Sequence, residues 1–131
     1  MLKRYRLEDF TSLGSVGKGS FGRVNLVKHN LTGDTFAMKQ IQKERVQGDK
    51  HIQHIKNEKQ ILKELTEELS ASTGGEASFF VNFVETLQDE HNLYLLLEYL
   101  PGGELLQQIR QHMSLTMEQA LFYLAEVLVA I

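Results

Sequence analysis

The chain has no cysteine, which removes disulfides, thiolate metal sites and thiol nucleophiles at once. It has no long apolar run either. The basic start, Met1-Leu2-Lys3-Arg4-Tyr5-Arg6, passes into Glu8 and Asp9 rather than into an apolar stretch, so it is not a secretory signal. The most apolar segment, from Ala120 onward, is too short to cross a bilayer and carries Glu126. Excess positive charge is missing too: the net charge of −3 gives no general field for nucleic acid or an anionic membrane. Proline occurs once, and there is no internal repeat, linker or low-complexity tract before residue 70. A cytoplasmic protein without nucleic-acid or membrane partners is expected, and any phosphate chemistry must be local.

What remains is ordinary for a globular protein. Of 131 residues, 42% are hydrophobic and 24% charged, enough for a core but short for most two-lobed enzymes. The chain is organised around Gly17-Lys18-Gly19-Ser20-Phe21-Gly22-Arg23-Val24, with Lys39 following inside Phe36-Ala37-Met38-Lys39. Glycines at this spacing leave backbone N–H groups free to approach a phosphate, since no Cβ blocks the way. The pattern alone is weak. In dinucleotide-binding units it follows a strand and opens a helix. Here Phe10 to Val16 reads as extended before the glycines, and Arg23 to Lys28 alternates polar and apolar after them, within a strand from Gly22 to His29. Strand, glycine turn and strand make a hairpin that can close over phosphates, although a glycine hairpin without a ligand has the same local pattern.

Asn30 to Asp34 is a turn cluster, with Gly33 suited to a positive φ, and Thr35 to Gln42 returns as a third strand. From Asp49 to Leu69 the pattern turns helical, with Ile52, Ile55, Ile61, Leu62, Leu65 and Leu69 at three- and four-residue intervals. Glu58 shares a face with residues 55, 62 and 65. An unpaired carboxylate there would be costly, so a paired, partly buried one is expected in place of one more surface glutamate. Residues 70–78 are small and polar and read as a loop. Phe79 to Leu87 and Leu93 to Leu100 then read as strands. The second is nearly all apolar, as a central strand covered on both faces would be.

Pro101-Gly102-Gly103 ends that strand. A short helix with Leu105, Leu106, Ile109 and Met113 on its apolar side follows, and Thr116 with Gln119 has the form of a capping box opening another. That last helix is apolar around much of its circumference and has no terminating glycine or basic last turn. It needs neighbours on most sides, so the chain is expected to be cut within a larger domain. If it folds alone, self-association through this helix is expected. The five histidines raise a metal question, chiefly at His51 and His54. Three residues apart, without a carboxylate at ligand spacing and amid Gln and Lys, they read as a solvated helix face. No metal ligand is assigned.

The ordered set Gly17-x-Gly19-x-x-Gly22-x-Val24, Ala37-x-Lys39, Glu58 in a helix, Leu95-Leu96-Leu97-Glu98-Tyr99-Leu100 and Pro101-Gly102-Gly103-Glu104-Leu105 resembles the amino-terminal part of a eukaryotic-type serine/threonine protein kinase catalytic domain. Gly-Ser-Phe-Gly-Arg-Val and Phe-Ala-Met-Lys look most like the AGC group, near the cyclic-nucleotide-dependent kinases. The resemblance runs from about Phe10 to the last residue and implies an α+β fold. Residues 10–100 would form an N-lobe of five antiparallel strands plus an αC-type helix after a lead-in at 1–9, and 101–131 the first two helices of a truncated C-lobe.

The resemblance also implies ATP as cofactor, with Mg²⁺ arriving on it, and a protein substrate for the complete kinase. Gly17, Lys18, Gly19, Ser20, Phe21 and Gly22 would cover the phosphates, and Lys39 would reach the α- and β-phosphates, held by Glu58. Val16, Val24 and Ala37 would sandwich the adenine with Leu97 behind it. The backbone C=O of Glu98 and N–H of Leu100 would read the adenine edge. Glu104 would bind the ribose, although a glutamate opening a helix is also favoured by the macrodipole alone. The His-Arg-Asp and Asp-Phe-Gly runs that this family uses for transfer and metal binding do not occur in the sequence. An inactive chain is therefore expected, and two other readings stay open: a short non-catalytic nucleotide binder and a bare interaction module.

Overall fold

The computed structural model describes residues 5–19, 22–72 and 79–130. Five strands, β1 (Phe10–Gly19), β2 (Gly22–His29), β3 (Thr35–Gln42), β4 (Phe83–Gln88) and β5 (Asn92–Glu98), form one sheet in the order β1-β2-β3-β5-β4. Every neighbouring pair is antiparallel. The helices are α1 (Asp49–Ser72), α2 (Leu105–His112) and α3 (Met117–Ala130). The α+β architecture expected from the motifs is the one observed.

Alternation along β3 and β5 divides the sheet into two faces, since successive side chains point to opposite sides and directly paired residues share one. Leu95 and Leu96 are both essentially buried, on opposite faces. This explains the nearly unbroken apolar run of β5, which lies between β3 and β4. On one face Ile41 and Leu95 pack against Ile55 of α1. On the other, Val27, Met38 and Leu96 are covered by Tyr5, Leu7 and Phe10. Tyr5 and Leu7, in the stretch expected to be a charged lead-in, thus serve as apolar cover.

Several element ends differ from the sequence expectation. β1 runs on to Gly19, because Gly17, Lys18 and Gly19 remain paired with Val24, Arg23 and Gly22. Two register shifts in β1, at Ser12/Gly14 and Ser15/Gly17, interrupt the ladder just before the glycines; bulges of this kind bend a strand and increase its twist. β4 begins at Phe83 and not Phe79. β5 ends at Glu98 and not Leu100. α1 includes Ser70–Ser72, which read as loop; the expected loop residues 73–78 lie outside the described residues.

The capping box of α3 is present, with the Thr116 N–H donating to Gln119 Oε1 at 3.0 Å and the Gln119 N–H to Thr116 Oγ1 at 3.2 Å. Along α3, Leu121, Phe122, Leu124, Leu128 and Val129 are all more than half exposed. Met113, expected on the apolar side of α2, lies instead beyond its end as a left-handed C-cap with φ 61°, almost fully exposed. No helix among the described residues is long and apolar enough to cross a membrane.

Candidate functional site

Lys39 is on β3, opposite Val24 of β2 and Leu95 of β5, and Val24 is opposite Gly17 of β1. Gly17, Val24 and Lys39 therefore form a row across three strands, spanning about 10 Å at the usual strand spacing. Ala37, two residues from Lys39, shares its face and pairs with Leu97. This is the face that carries Ile41, Leu95 and α1. Alternation alone thus places Val24, Ala37, Lys39 and Leu97 on one surface, beside the helix.

Lys39 Nζ lies 2.6 Å from Glu58 Oε1, and the two side chains retain 20% and 38% of their exposure. The pair is neither sealed in the core nor freely solvated. A cleft of about 490 Å³ opens beside it, lined by His54, Asn57, Glu58, Ile61 and Leu62. Lysine carries three N–H donors, so the bond to Glu58 leaves two for an oxygen-rich guest. Further along α1, Thr66 Oγ1 donates to the Leu62 carbonyl at 2.8 Å and accepts from the Phe83 N–H at 2.9 Å. Thr66 joins the far end of the helix to the first residue of β4. Sequence reading missed it; the available signal was a hydroxyl eight residues past Glu58, next to the apolar stripe at 62 and 65.

The glycines differ from one another. A methyl group on Gly22 would drive into the Gln40 carbonyl oxygen, with the carbonyl carbon 2.9 Å away, so close strand approach requires glycine there. On Gly17 the nearest atom would be Val24 Cβ at 3.9 Å, an ordinary contact. Nothing in the chain's own packing demands glycine at 17. Val16 and Lys18 are exposed beside it, and Gly19 closes the ladder opposite Gly22. Ser20 and Phe21, the expected tip of the flap, lie outside the described residues.

Glu98 turns its side chain to other work, its carboxylate accepting from the Asn82 N–H at 3.1 Å, while its own N–H donates to the Asn82 carbonyl at 2.9 Å. Leu100 is half exposed beyond the end of β5. Glu104 is the N-cap of α2, and its carboxylate does not cap the helix. These three lie where the chain leaves the sheet, apart from the row around Lys39. Among the described residues, no group of three or more His, Cys, Asp or Glu side chains is placed to hold a metal ion.

A protein-family model described as "Protein kinase domain" matches residues 10–131. The chain is 39% identical over 127 residues to the human cAMP-dependent protein kinase catalytic subunit PRKX, covering 97% of this chain and 33% of that protein. It is 35% identical over 128 residues to a cAMP-dependent protein kinase catalytic subunit of Dictyostelium discoideum, covering 98% of this chain and 18% of the relative. Serine/threonine-protein kinase sax-1 of Caenorhabditis elegans is 36% identical over 132 residues, with 99% and 26% covered. The chain spans about a third or less of the length of each of these relatives. It belongs to the protein kinase domain family, in the neighbourhood of the cAMP-dependent, AGC-type serine/threonine kinases.

Proposed function

We propose that this chain forms the ATP-binding lobe of a serine/threonine protein kinase. The observation that carries the reading is the partly buried Lys39–Glu58 pair, 2.6 Å apart, in register with a glycine that the chain's own packing does not require. An ammonium fixed by a carboxylate, with donors to spare, suits a polyphosphate oxygen. Glycine at 17 leaves room for such a guest to meet the backbone. ATP would supply the phosphoryl group and, with Mg²⁺ on its phosphates, the bridging charge. No metal ligand of this chain is needed for that arrangement.

In this reading Gly17, Lys18, Gly19, Ser20, Phe21 and Gly22 cover the phosphates, and Lys39 positions them under the control of Glu58. Val16, Val24 and Ala37 enclose the adenine, with Leu97 behind. The Glu98 carbonyl and the Leu100 N–H recognise its edge, and Glu104 holds the ribose. The complete kinase would transfer the γ-phosphate to a serine or threonine of a protein substrate. The 131-residue sequence has no His-Arg-Asp or Asp-Phe-Gly run, so this chain binds nucleotide without transferring phosphate. The exposed apolar side chains of α3 would associate with a second copy when the chain is alone. We place the protein in the cytoplasm, and with a net charge of −3 we assign it neither a nucleic-acid nor a membrane partner.

Calorimetric titration with Mg-ATP tests the proposal. Saturable binding is expected for the chain, with affinity lowered on the order of tenfold or more in Lys39→Met. Absence of binding would refute nucleotide recognition, and undiminished binding by the variant would refute the role of Lys39.

A further inference from the structure

The hydroxyl of Thr66 does not lie near Lys39, yet it bears on where Glu58 can be. α1 meets the sheet along one face, through Ile55 in the core, Glu58 at Lys39, and Thr66 at the entry to β4. Intervals of three residues and of twice four keep these positions in line. Ile55 supplies an apolar contact, which tolerates sliding and rotation. Thr66 supplies a directional bond, which does not. Its proton goes to the Leu62 carbonyl within α1, which fixes the orientation of the side chain, and its oxygen accepts from Phe83 N–H, which ties the helix to β4 in that orientation.

The rotational setting matters because a carboxylate near the rim of a helix sits about 5–6 Å from the axis, and a turn of about 20° moves it by roughly 2 Å. A shift of that size would break a contact of 2.6 Å. We infer that Thr66 is a positioning residue for the nucleotide site: its bond to the Phe83 amide sets the rotation of α1 and thereby keeps Glu58 on Lys39. The inference rests on the ATP-binding reading for its functional consequence. The link between Thr66 and the Lys39–Glu58 pair is a separate claim about geometry.

Thr66→Val keeps the branched shape and removes the hydroxyl, and Thr66→Ser keeps the hydroxyl and removes the methyl. Affinities of the full chain for Mg-ATP and for adenosine, which has no phosphate for Lys39 to hold, are measured for each. Thr66→Val is expected to weaken Mg-ATP by about tenfold and adenosine by less than about twofold, with Thr66→Ser close to the unaltered chain. Thr66→Ala, which asks less of the surrounding volume, must behave as Thr66→Val does. Equal weakening of both ligands would show a structural role only and overturn the inference, as would an unchanged ratio. Should the unaltered chain bind neither ligand, the ATP-binding reading fails, and acetylation of Lys39 by acetic anhydride decides the tether by itself. Faster labelling in Thr66→Val than in Thr66→Ser supports it, and equal labelling overturns it.

Discussion

Gly22→Ala offers the sharpest test of how the glycine hairpin is built. Its new methyl group would collide with the Gln40 carbonyl of β3, with the carbonyl carbon at 2.9 Å and the oxygen closer still. The atoms it meets belong to the backbone of β3 rather than to a flexible side chain, so β2 and β3 must part by more than about 1 Å at that end. Hydrogen bonds stretched from about 2.9 Å by that amount leave bonding range. Losing one or two of them, at about 0.5–1.5 kcal/mol each, together with overpacking of about 1–3 kcal/mol, destabilises the domain by roughly 2–4 kcal/mol. For a domain of this size that lowers the melting midpoint by roughly 10 °C. Gly17→Ala provides the contrast, since its methyl would meet only Val24 Cβ at 3.9 Å and φ there is not left-handed. Its melting midpoint should remain near that of the unaltered chain, while Mg-ATP affinity falls by about tenfold. Thermal melting by circular dichroism without nucleotide, followed by titration with Mg-ATP, separates the two positions. A Gly22→Ala variant melting within about 2 °C of the parent would refute the steric argument, and a Gly17→Ala variant binding normally would remove the phosphate argument from Gly17.

Partial burial, with the Asp89 carboxylate accepting its hydroxyl proton at 2.7 Å, raises the pKa of Tyr94 from 10.0 to about 12. The folded state therefore holds that proton more tightly than the unfolded state, and the stabilisation is complete below pH 10 and lost as pH rises through 12. Denaturant midpoints across this range should fall more steeply for the parent than for Tyr94→Phe, and identical profiles would refute the assignment. For α3, light scattering should report association of the full chain that disappears when residues 117–131 are deleted. A strictly monomeric full chain would show that the exposed side chains of this helix do not pair.

The elements most legible in the sequence were those in which local chemistry and tertiary packing ask for the same thing. Thr35–Gln42 carries apolar residues of both parities because Met38 and Ile41 face separate cores, and Leu93 to Leu97 is apolar because Leu95 and Leu96 do the same. Thr116 and Gln119 cap α3 through bonds that involve no other element, so spacing was enough to find them. Lys39 and Glu58 were legible for a different reason: each is a charge set in an apolar pattern, and such charges need partners. Other features depend on distant chain that no window of sequence contains. Gly22 reads as part of a flexible turn until β3 is placed beside it. Tyr5 reads as part of a charged lead-in until Phe10, His29 and Phe36 bring their rings within about 6 Å of it. His29 is buried among those rings with Nδ1 accepting the Thr32 N–H, and no local pattern announced that. Met113 fits a helical repeat arithmetically, yet the helix stops before it.

The two faces of the sheet bear differently on the site. Lys39, Ala37, Ile41, Leu95 and Leu97 have one parity and lie with α1; Met38 and Leu96 have the other and lie under Tyr5 and Phe10. A loss of packing under Tyr5 weakens the sheet as a whole but leaves the relation between Lys39 and Glu58 intact in every molecule that remains folded. A loss on the opposite face acts differently. Ile55 and Glu58 occupy neighbouring turns of α1, and Glu58 reaches across to Lys39 on β3, so loosening Ile55 is expected to free the carboxylate before it unfolds the sheet. The helix is therefore the element through which a displacement reaches Lys39 without disturbing the strand that carries it.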